Sequence, residues 1–102
     1  MAENQDAVRR ALAAQVTALD GRARHARPPE LARAVDEIRL LAHRHGFHPA
    51  ATVTHVMAGA LARGERGIQG WLPLLHDAVG SERQDRAAGE AFAAACSARI
   101  AI

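Results

Sequence analysis

Six histidines and one cysteine are spread along a chain of 102 residues. One of them, His55, stands in the run VTHVMAGALARGERG (residues 53–67), among small and apolar residues, with Gly59, Arg63 and Arg66 downstream. A helix turns by about 100° per residue, so a buried face centred on Met57 puts His55 about 160° away, on the outer side. Gly59 falls one turn further on the same outer line, and Thr52 and Arg63 border it. A glycine there gives a partner close access to the ring. A neutral imidazole nitrogen is a competent nucleophile toward a phosphoryl group, and nearby cations such as Arg63 and Arg66 stabilise the charge on the group transferred. The competing reading is a surface histidine with no chemical role, the ordinary state of a polar residue on an amphipathic helix.

A second cluster is HRHGFH, with His43, His45 and His48. His43 and His45 lie about 200° apart on a helix and cannot both reach one ion. His45 and His48 can approach across Gly46, but two ligands make a poor metal site, and cationic side chains in a last helical turn already suit the helix dipole. No metal and no cofactor are expected. GRARHAR (residues 21–27) is basic but has no interleaved aromatic to stack on a base, so it reads as a solvated helix end. Cys96 lies on an alanine-rich helix as a small hydrophobe, and a lone cysteine forms no internal disulfide. His76 and Asp77 are adjacent on a helix and point apart. Trp71 reads as a core anchor. The three glycines of GERGIQG mark a loop, since no strand precedes them.

On its exposed histidine and the glycine four residues later, the 53–67 segment resembles the site helix of histidine-containing phosphotransfer (HPt) domains of bacterial phosphorelays. The resemblance implies a helical bundle of this size, His55 as phosphoacceptor and a receiver domain as partner. Ala58 stands where that family has a lysine, which removes its main charge stabiliser. The portion LAHRHGFHPAATVTHVMAGALARGERG, with the later HDAVG, also resembles small uncharacterised all-helical proteins of GC-rich proteobacteria, which implies no activity.

The elements that must position these residues are helices. Apolar residues make up 49% and aromatics 3%; the apolar excess is mostly alanine, the best helix former. The first helix runs from about Glu3, with Glu3 and Asp6 at its positive end. It buries Val8, Leu12, Val16 and Leu19 and reaches His25 through Asp20-Gly21. The second starts at Pro29 and lines up Leu31, Val35, Ile38, Ala42 and His45. Gly46 supplies its left-handed stop, and Phe47 folds back on the last turn. Leu40 points away from the stripe. The third begins near Pro49, buries Val53, Val56, Met57, Ala60 and Leu61, and ends around Arg63-Gly64. The fourth carries Trp71, Leu72, Leu75 and Val79, with Pro73 in its first turn and Gly80 at its end. Ser81 and Gln84 read as a capping box for a fifth helix packed through Ala88, Ala91, Phe92 and Ala95.

These features predict an all-α, compact antiparallel bundle of four to five helices, one domain over residues 1–102. The net charge of +2 is small, and all the basic residues are arginine, which inflates the pI of 9.9; nucleic acid is not the expected partner. The start MAENQDAVRR is polar and acidic where a signal peptide is basic and then apolar. No run approaches the ~18 apolar residues of a membrane span, so a cytoplasmic protein is expected. No triad, phosphate loop or paired carboxylate points to an enzyme. The function expected first is a non-enzymatic interaction module, self-associating as a homodimer through off-stripe residues such as Leu40 and Leu74. The alternative is an HPt-like phosphoacceptor or degenerate phosphorelay module using His55, with Gly59, Arg63 and Arg66 around it.

Overall fold

The apolar stripes become buried helix faces in the computed structural model, which describes residues 2–65 and 68–101. α1 (Ala2–Arg22) buries Leu12, Val16 and Leu19, and α2 (Pro28–Arg44) buries Leu31, Val35, Ile38 and Ala42. α3 (His48–Ala62) buries Val53, Met57 and Ala60, and α4 (Leu72–Gly80) buries Leu72, Leu75 and Val79. α5 (Arg86–Ala101) contributes Cys96, and a 3₁₀ turn (Ile68–Trp71) leads into α4 and buries Ile68 and Trp71. Among the described residues there is no strand, so the all-α class holds. Arg66 and the side chain of Glu3, both singled out above, lie outside the described residues.

α3 is the hub of the bundle. It packs against α2, α4 and α5, while α1 packs against α2 and α4. The radius of gyration, 12.7 Å, matches the ~13 Å of a folded chain of this length.

The α2–α3 junction is built as its sequence implies. Gly46 has φ +73°, in the left-handed region that a Cβ disfavours by roughly 1–2 kcal/mol. The Phe47 N–H donates to Ala42 O at 2.8 Å and the Gly46 N–H to His43 O at 3.3 Å, the paired bonds of a Schellman stop. Phe47 is fully buried, with the Arg9 guanidinium 5.9 Å from its ring centroid. His45 leaves the stripe on which it was placed: it is the C-cap, with φ −106° and ψ 10°, so its side chain no longer follows the helical line and is exposed.

Four further expectations are corrected. α1 stops at Arg22, short of His25, because the backbone tightens: the His25 N–H donates to Arg22 O at 2.9 Å, one residue nearer than a helical partner. Arg27, before Pro28, is extended, as a residue preceding proline prefers. On α3, Val56 and Leu61 are only half-buried; Pro49, Ala50 and Thr54 fill the inner face instead. Thr54 is tolerated there because its hydroxyl donates to Ala50 O at 2.7 Å.

Ser81 and Gln84 do not cap α5. Ser81 closes α4, and the buried Gln84 turns its Nε2 to Ala78 O at 3.0 Å and Ser81 O at 2.8 Å, satisfying the end of α4. The cap of α5 is Asp85, whose Oδ1 accepts the Ala88 N–H at 2.9 Å. The seam of α5 is also rotated from the one expected. Ala91 and Ala95 are exposed, and Gly89, Phe92, Ala93 and Cys96 face inward. Gly89 is the reason: a Cβ there would sit 2.9 Å from His48 Cβ and 3.4 Å from Thr52 Oγ1, so only glycine lets α5 lie this close to the start of α3.

Two glycines placed inside helices should respond oppositely to alanine. Gly21 has no neighbour within 4 Å of a Cβ position, and Gly21→Ala is expected to raise stability by about 0.5–1 kcal/mol. Gly89→Ala is expected to lower it, because overpacking costs about 1–3 kcal/mol and exceeds the propensity gain. Urea unfolding measures both; a stabilising Gly89→Ala would contradict the close α3–α5 contact. Phe47→Ala is expected to cost about 3–5 kcal/mol in the same assay.

Candidate functional site: a histidine groove between three helices

His48, Thr52 and His55 are spaced by four and three residues, so they form one line along α3, with Gly59 next on it. Arg39 and His43, four apart, form the facing line on α2. The approach of α5 at Gly89 brings Ala93 against the same place. The result is a groove of about 380 Å³, walled by Arg39, His43, His48, Thr52 and His55. Its apolar floor comes from Ala51, Val56 and Ala93.

His55 is exposed, as its helical position implies, and Gly59 is half-buried. A Cβ at Gly59 would meet only Arg63 Nη1, at 3.4 Å; among the described residues no second helix covers it. Arg63 shares the line but does not serve His55 freely, because its guanidinium pairs with Glu65 at 2.9 Å on the open surface. Arg39 is likewise engaged, with Nη2 and Nε 2.6 and 3.0 Å from Asp36 Oδ1. The two arginines flanking His55 each already hold a carboxylate.

The structure joins His43 and His48 to His55, a grouping that sequence reading missed. His45, which had been set against His48, does not line the groove. The signal was available in the spacings 39/43 and 48/52/55, but only the facing of α2 and α3 shows that the two lines converge. Among the described residues no three histidine, cysteine or acidic side chains have the geometry to hold a metal ion.

The end of the groove at His48 is electrostatically organised. The Asp85 carboxyl is held below the usual carboxylate range, first by the hydrogen bond from Arg83, then by the Ala88 N–H, and last and least by the nearby His48. The Arg83–Asp85 pair measures 2.9 Å, and the His48 N–H donates to Gln84 O at 3.2 Å. The α4–α5 connection thus anchors the first residue of α3.

The other candidate residues lie elsewhere. His76 Nε2 is 3.7 Å from Asp20 Oδ2, joining α4 to α1, and does not engage Asp77. Burial pushes the Cys96 thiol up, which suppresses the reactive thiolate. The Arg99 guanidinium lies 5.3 Å from the centroid of Trp71, which is 7% exposed and anchors the core. Leu40, 49% exposed, lies on α2 between the groove residues Arg39 and His43 and does not itself line the groove.

Compared with protein-family models, curated proteins and solved structures, the chain matches none. Among the described residues no helix is long and apolar enough to cross a membrane.

Because the folded carboxyl of Asp85 is held low, its stabilising share is complete above the ordinary aspartate value of about 3.9 and is lost as pH falls through the lower folded value. Asp85→Ala is expected to lower the Tm at neutral pH and to reduce the further loss of Tm on acidification. Thermal melts by circular dichroism at several pH values test this; an unchanged acid limb in the variant would remove Asp85 from the account.

Proposed function

We propose that this chain is a non-enzymatic helical interaction module that docks a protein partner over the groove between α2, α3 and α5. The observation that carries the reading is the convergence of three imidazoles from two helices on one concave surface, with an apolar floor. Convergent polar groups over an apolar base are what a recognition site requires. Leu40, exposed on α2 next in sequence to the groove residue Arg39, offers an apolar contact on one of the helices that form the groove. A second copy of the chain is one such partner, which makes the module a homodimer.

A photo-crosslinking side chain at position 40, compared with one at the exposed Ala18 of α1, tests this in the cells that make the protein. A discrete product from position 40 and none from position 18 is expected. A product of twice the chain mass, with a matching mass by light scattering of the purified protein, identifies the homodimer. Equal products from both positions, or none from either, would remove the groove as a contact surface.

The second reading is phosphoacceptance at His55, favoured by the exposed ring and by the absence of a covering helix at Gly59. In that reaction an imidazole nitrogen of His55 forms a P–N bond while the P–O bond of a receiver domain's aspartyl phosphate breaks. The electron pair leaves on the aspartate carboxylate and the ring proton passes to water. Arg39 and Arg63 each pair with a carboxylate and Ala58 stands in place of a lysine, so among the described residues this step has little charge stabilisation, and the contact reading stands first. Incubation with a phosphorylated receiver domain separates the two: label on the wild type that is absent from His55→Ala favours phosphotransfer, and an unlabelled wild type removes it.

A further inference from the structure

Resting on the groove as the contact surface, we infer that it is an anion site favoured by acid, and that its occupant is a carboxylate-rich segment of the partner protein. Its walls offer donors: the imidazoles of His43, His48 and His55, the Arg39 guanidinium and the Thr52 hydroxyl. Among the described residues no carboxylate lines it. From α2 the nearby acid is Asp36, already hydrogen-bonded by Arg39. From the α4–α5 connection it is Asp85, held by Arg83 and the Ala88 N–H. Among the described residues, Ala93 is what α5 contributes to the lining, and it does not titrate.

Three further features agree with an acidic occupant. His48 is the first residue of α3, where the helix dipole is positive and favours negative charge. The floor of Ala51, Val56 and Ala93 suits the methylene stem of a glutamate, whose head group then meets the imidazoles. A volume of about 380 Å³ is at the small end for ligand sites, room for a few side chains of an extended segment.

The groove also carries its own control. Histidine is the side chain whose charge ordinarily changes between about pH 5 and 8. Arg39 is matched by Asp36, so net positive charge in the groove has to come from its imidazoles. A protonated imidazole holds a carboxylate more strongly than a neutral one, so affinity for carboxylates is expected to rise with acid until those carboxylates themselves protonate near about pH 4.

Fluorescence anisotropy of the whole protein with a labelled glutamate-rich peptide, against the same peptide with glutamine for glutamate, tests the inference. The glutamate peptide is expected to bind at least about tenfold more tightly near pH 5.5 than near pH 8. His43→Gln, His48→Gln and His55→Gln, all at exposed positions, should each weaken it, and the triple variant should lose the pH dependence, while melting like wild type. Equal affinity at the two pH values, equal binding of the glutamine peptide, or an unaffected triple variant would overturn the inference. So would binding of inorganic phosphate alone with no binding of the peptide. A partner crosslinked at position 40 whose binding ignores pH leaves the contact reading intact and ends this one; no crosslink at position 40 ends both.

Discussion

The groove exists because α5 lies against the start of α3, and it lies there because position 89 has no side chain. A Cβ at Gly89 would stand 2.9 Å from His48 Cβ, closer than packed carbons tolerate, so this spacing is available to glycine alone. Since α5 packs chiefly on α3, this contact decides where the helix runs and brings Ala93 to the floor beneath His48 and His55. The neighbouring connection holds the same corner: Gln84 satisfies the end of α4, its backbone carbonyl accepts from His48, and Asp85 starts α5. Aligned donors and acceptors here place three helix ends together.

The second constraint is the left-handed Gly46. By ending α2 there, it sends Phe47 into the core and starts α3 at His48, so that lines of side chains on consecutive helices face each other. Much of this was legible in the sequence. Most of the stripes of α1, α2 and α4, part of that of α3, the stop at Gly46 and the inward Phe47 follow from helical periodicity and from the one residue type that enters positive φ readily. The cap of α5 was misread because Ser81-x-x-Gln84 has the spacing of a capping box, whereas the side chain of Gln84 has better partners in the carbonyls ending α4. The seam of α5 was misread because half of that helix's 16 residues are alanine, spread over every face, and a pattern with little contrast has no clear phase.

The candidate site was half legible. The outward placement of His55 needs only one helix, so periodicity was sufficient. Its grouping with His43, His48 and Arg39 depends on how α2 and α3 face each other, which no local pattern encodes. Spacing also suggested cations for His55, but could not show that Arg63 turns to Glu65 and Arg39 to Asp36. Those pairs change the chemistry on offer. With Arg39 and Arg63 each paired to a carboxylate, His55 has less cationic support among the described residues for receiving a phosphoryl group than its spacing implied.

The most direct test of this arrangement is a nuclear Overhauser spectrum of the isotopically labelled protein. The account expects a strong cross-peak between the Gly89 Hα protons and the His48 Hβ protons, with weaker ones from Ala93 to the Val56 methyls. A well-dispersed spectrum in which Gly89 shows no contact with His48 would contradict it, since α5 would then lie elsewhere and the groove would lose its third wall.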